Sequence, residues 1–147
     1  MTDPYTPPES DVTVADDSVP RKIGWKIFFW VLFLIEATYL ISEVVEPTEE
    51  LQILAVEVVV YFFTFLGIFG YAYNRKFFFQ KFWGYFIPVA VLWDVYSLVE
   101  VATLEFEIPI EYFIYYGSIA IVVFPLLALQ YLALYKYRFH SPYIWNR

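Results

Sequence analysis

Glu36, Glu57, Asp94 and Glu100 stand inside long apolar stretches of this 147-residue chain. On insertion scales an acid near the centre of a membrane helix costs about 2.5–3.5 kcal/mol, against roughly 0.3–0.6 kcal/mol gained per Leu, Ile, Phe or Val. Residues carried at that cost are the first candidates for chemistry. Hydroxyls accompany them at helical spacing. Glu36, Tyr39 and Glu43 share one helical face, Glu57, Tyr61 and Thr64 another, and Asp94 shares a face with Ser97. Tyr115, Tyr116 and Ser118 fall at similar height in the last apolar stretch. Glu100 points about 120° away from Asp94, toward a different surface.

No Lys or Arg lies at the depth of these acids. They must then be protonated, bonded to Tyr, Ser or Thr hydroxyls, reached by outer water, or neutralised by a bound cation. Two readings follow. In one, Glu36, Glu57, Asp94 and Glu100, with Tyr39, Tyr61 and Ser97, form a site for a cation, a proton or a cationic amphiphile. In the other, the same carboxyls and tyrosines stitch helices together by hydrogen bonds.

Other chemistries are set aside by what the chain lacks. It has no cysteine, so there is no disulfide, thiolate nucleophile or Cys-based metal site. His140 is the only histidine, which excludes bis-His haem ligation, Glu-x-x-His di-iron pairs and His-rich zinc sites. His140-Ser141 has no placed acid for a triad, and no phosphate loop is present. Neither catalytic, metal nor cofactor-binding residues are therefore expected, and no cofactor. The reading is non-enzymatic.

The elements that must position the acids follow from composition. Hydrophobic residues make up 61% and aromatics 24%, more than so short a chain can hide inside a water-soluble globule. Mean hydropathy is +0.56. The bilayer is the apolar solvent that resolves the surplus. Four apolar spans are marked at about residues 24–45, 51–73, 82–104 and 113–135. Each is roughly 20 residues or slightly more, enough to cross about 30 Å of hydrocarbon at 1.5 Å per residue. The expected fold is an all-α membrane protein, its four transmembrane helices forming two antiparallel hairpins in a bundle.

Charge orders the spans. Arg21, Lys22 and Lys26 precede the first; Arg75, Lys76 and Lys81 lie between the second and third; Lys136, Arg138 and Arg147 follow the fourth. The other two connections hold Glu46, Glu49 and Glu50, then Glu105, Glu107 and Glu111, with no base. By the positive-inside rule both termini are expected in the cytoplasm of a cell with the protein in its inner (plasma) membrane. The basic residues flank spans and offer nucleic acid no face. Residues 1–20 are acidic and Pro-rich and read as a disordered tail, 21–139 as the transmembrane domain, and 140–147 as an interfacial tail. Trp25, Trp83 and the phenylalanines at 77–79 are placed as an aromatic belt, while Gly67 and Gly70 let helices approach closely. Pro88 and Pro125 are read as kinks.

The two halves echo one another. Trp25 stands eleven residues before Glu36, and Trp83 eleven before Asp94. Parallel duplication of a hairpin gives such a pattern. The expected partners are the lipid bilayer and other membrane helices or a second copy. The expected role is a small helper, assembly or regulatory subunit, with a carboxylate-based binder of cations, protons or cationic amphiphiles as the alternative.

Overall fold

A computed structural model describes residues 20–45, 51–104 and 110–146; for 100–104 and 110–119 it describes the backbone alone. Residues 1–19, 46–50 and 105–109, which hold most of the acidic leader and of the Glu-rich turns, lie outside the described residues. The described chain is helical and contains no strand. Its elements are α1 (Ile23–Val45), α2 (Leu51–Tyr73), α3 (Gln80–Leu104), α4 (Ile110–Phe139) and a single turn, α5 (Pro142–Trp145). Four of these are long and apolar enough to cross a membrane. Helix is the natural form for such runs, because lipid offers backbone N–H and C=O groups no partner and a helix satisfies them internally.

α4 is longer at both ends than the apolar run that marks it. Lys136 and Arg138 occupy its last turn, where cations favour the helix dipole. α3 and α4 continue through Pro88 and Pro125. α2 ends in a Schellman turn: Asn74 takes φ 55° and the Arg75 N–H reaches back to Gly70 O at 2.9 Å.

α2 is the hub, packed against α4 and α1, while α3 lies chiefly on α4. The first residues of α1 meet the last of α2, with Lys22 Nζ donating to Tyr71 O at 2.7 Å. Gln80, at the start of α3, donates to Arg138 O at 2.7 Å near the end of α4. The three basic segments thereby meet at one end of the bundle. Large aliphatic side chains such as Leu34, Ile41, Leu92 and Ile121 face outward, as expected where lipid is the solvent.

Packing is densest at the basic end, around the fully buried Ile68, Trp83, Leu134 and Tyr137. Gly67 and Gly70 make this possible. A Cβ on Gly67 would run into Leu134 Cδ2 and stand 2.6 Å from Trp83 Cζ3; one on Gly70 would stand 2.6 Å from the Tyr137 hydroxyl. Trp83 is accordingly not a belt residue, correcting the expectation: the space left by Gly67 draws its ring inside. The segment after α4 also turns inward, because the Trp145 indole donates to Tyr137 O at 2.7 Å and buries with Ile144.

Gly67→Ala should lower stability by about 1–3 kcal/mol, the usual cost of overfilling a packed core. Gly24→Ala should not, since nothing lies within 4 Å of a Cβ there. Thermal melting of the two variants in detergent micelles distinguishes them.

Candidate carboxylate–tyrosine site

Each long helix contributes to one polar cluster inside the bundle. α1 supplies Glu36 and Tyr39, α2 Glu57 and Tyr61, α3 Asp94, and α4 Tyr131. Glu57 and Asp94 are buried and Glu36 is half-buried. The Tyr131 hydroxyl donates to Asp94 Oδ2 at 2.6 Å, at the short end of O–H···O bonds. The Tyr39 hydroxyl reaches Glu57 Oε2 at a longer 3.4 Å. Glu36 lies within electrostatic reach of Asp94 across the helices. Tyr61 of α2 lies within electrostatic reach of Glu36, Glu57, Asp94 and Tyr39.

Five of the sequence candidates are thus brought together: Glu36, Tyr39, Glu57, Tyr61 and Asp94. Ser97 is not joined to Asp94 by its hydroxyl. That group has one proton and gives it to its own helix, at Trp93 O, 3.2 Å away. The side chain of Glu100 lies outside the described residues, as do those of Tyr115, Tyr116 and Ser118.

Tyr131 was not legible as a site residue. Counting rise along straight helices puts it too near the basic end to meet Asp94. Helical side chains, however, lean toward the N-terminus of their own helix. α3 starts at the basic end and α4 finishes there, so Asp94 leans down and Tyr131 leans up. The pair meets between their backbone heights. The available signal was the polar Gln130-Tyr131 pair inside an apolar run.

Among the described residues, no three Asp, Glu or His side chains converge as a metal-binding group. The arrangement instead offers dispersed carboxylates joined through phenolic hydroxyls. Such a set can share protons or accept a cationic group, since a carboxylate in low dielectric is held best by hydrogen bonds or an opposite charge. Comparison of the chain with family models, curated proteins and solved structures gives no match in any of the three. The site is therefore read from its own chemistry.

Tyr131→Phe removes the 2.6 Å bond and leaves Asp94 short of a donor, so stability should fall by about 1.5–3 kcal/mol. Ser97→Ala should change it by less than about 0.5 kcal/mol. Melting curves of the two variants in one detergent check both.

Proposed function

We propose that the chain is a non-enzymatic, multi-pass membrane protein whose working site is this intramembrane cluster, holding a proton or a cationic group among Glu36, Glu57 and Asp94. The observation that carries the reading is Tyr61 lying within reach of all three carboxylates, contributed by three different helices. Acids on three separate helices that have one tyrosine within reach of them all favour a common occupant over three unrelated contacts to lipid-facing neighbours.

The proposed arrangement is two antiparallel hairpins, α1 with α2 and α3 with α4, in a cytoplasmic (inner) membrane. Both termini are on the cytoplasmic side. The gathering of Lys22, Arg75, Lys76 and Arg138 at one end supports this under the positive-inside rule. α3 opens at Gln80, 57 positions after Ile23 opens α1 and within one of the 58 that relate Glu36 to Asp94, which supports duplication of a hairpin.

A second reading, a helper or assembly subunit packed against other membrane helices, is favoured by an open apolar groove of about 360 Å³. Val56 and Val60 of α2 and Val89, Leu92, Trp93 and Tyr96 of α3 line it. In that case the carboxylates only hold the bundle together.

Melting of the purified chain in sodium or tetraphenylphosphonium salts separates the two. A bound cation should raise the melting temperature, and Glu36→Gln with Asp94→Asn should abolish that rise. A profile indifferent to cation, together with a stoichiometric membrane partner retained by those variants, would establish the helper reading instead. For the orientation, a reporter active only in the cytoplasm should be active when fused after Arg147; activity of a periplasm-specific reporter there would refute it.

A further inference from the structure

Lys22 is the buried cation of the described chain, 8% exposed. Besides donating to Tyr71 O, its ammonium lies 3.4 Å from the Tyr71 ring centroid and 5.3 Å from that of Tyr143. A second ammonium, Lys136 near the end of α4, stands 5.6 Å over the Trp25 ring. Trp25 and Tyr71 meet edge to face at 5.2 Å, so an aromatic wall runs from one cation to the other. Lys136, Trp25 and Tyr143 each keep part of their surface open. Neither ammonium is engaged by a carboxylate among the described residues.

Two like charges on different helices, walled by rings and lacking an acid, repel one another until an anion lies between them. The cost is visible at Lys22, whose ammonium is pushed down to about 7, by burial first and by Lys136 second. Two ammonium groups at helix ends, joined by an aromatic wall and set where the chain leaves the apolar core, meet one anion in abundance: the phosphate of a lipid headgroup. The ring faces suit the glycerol and upper acyl region beside it.

We propose that Lys22 and Lys136, with Tyr143 beside them, bind the phosphate of an anionic lipid headgroup at the basic end of the bundle. The site is separate from the carboxylate cluster and does not depend on what that cluster holds.

The test uses the full chain in dodecyl maltoside, titrated with short-chain phosphatidylglycerol, phosphatidylcholine of the same chain length, or inorganic phosphate, with melting temperature as readout. Phosphatidylglycerol should raise it where phosphatidylcholine does not. Lys136→Gln, at a half-open position that tolerates change, should shift the half-saturating concentration about fivefold. Lys81→Gln, exposed and not one of the cations over these rings, should leave it unchanged. Lipid binding also predicts a pH signature. Lys22 faces Tyr71 of α2, Lys136 of α4 and Tyr143 of α5. Between about 7 and its ordinary 10.5 the unfolded chain holds a proton that the folded, lipid-free chain has released. Stability of the lipid-free protein therefore rises with pH across that window. Saturating phosphatidylglycerol should flatten the rise by returning the proton, and Lys22→Met should remove it. Three results overturn the proposal: equal effects of phosphatidylcholine and phosphatidylglycerol; inorganic phosphate alone accounting for the whole rise; or a phosphatidylglycerol effect that appears only after Asp16→Asn and Asp17→Asn, which would give the two lysines to the chain's own acidic leader.

Discussion

The Tyr137 hydroxyl holds the basic end of this protein together. It donates to Arg75 O at 2.8 Å and accepts from the Phe77 N–H at 2.9 Å. Both groups belong to the turn between α2 and α3, where backbone polar atoms have left the helix ladder and must find partners elsewhere. The Phe77 carbonyl is taken by the Trp83 indole, 2.9 Å away, and Lys76 reaches Trp145 O at 3.3 Å. Every one of these bonds ties the turn to α3, α4 or the segment after it. The side chain that satisfies the turn therefore also sets how α4 lies against α2.

That arrangement explains where the tight packing is. α4 can bring Tyr137 to the turn only if it passes close to α2, and Gly67 and Gly70 are the positions that let it. Between lipid-facing helices there is little hydrophobic drive to associate, so close van der Waals contact and hydrogen bonds supply the cohesion. The turn tolerates an unfavourable backbone in return. Phe78 takes φ 57°, uncommon for a bulky residue, and its ring is stacked on Phe82 at 4.9 Å and lies 5.7 Å from Phe63. Stacking of this sort offsets about 0.5–1.5 kcal/mol.

Further from the basic end the polar groups are side chains rather than backbone, and the logic changes. The helices there are internally complete, and Asp94 and Glu57 take hydrogen bonds from the hydroxyls of Tyr131 and Tyr39. The site is held by four helices whose spacing is fixed at the other end. A shift of α4 against α2 would carry Tyr131 with Tyr137, six residues along the same helix. Cohesion of the turn and geometry of the carboxylate cluster are thus mechanically joined.

Much of this was written in the residues alone. The number of helices, their approximate limits, the confinement of bases to alternate connections and the odd acids at Glu36, Glu57 and Asp94 all follow from hydropathy and charge, which are properties of single residues and their neighbours in sequence. The spacing also put Tyr39 with Glu36, and Tyr61 with Glu57, because a helix fixes its own faces. Sequence could not say that Tyr131 meets Asp94, that Ser97 spends its proton on Trp93, or that Trp83 fills the hollow beside Gly67 instead of facing lipid. Those depend on which helix stands next to which and on how far side chains lean along them. Only the packing of α4 between α2 and α3 decides such matters, since contacts between helices are set by shape and no local period encodes them.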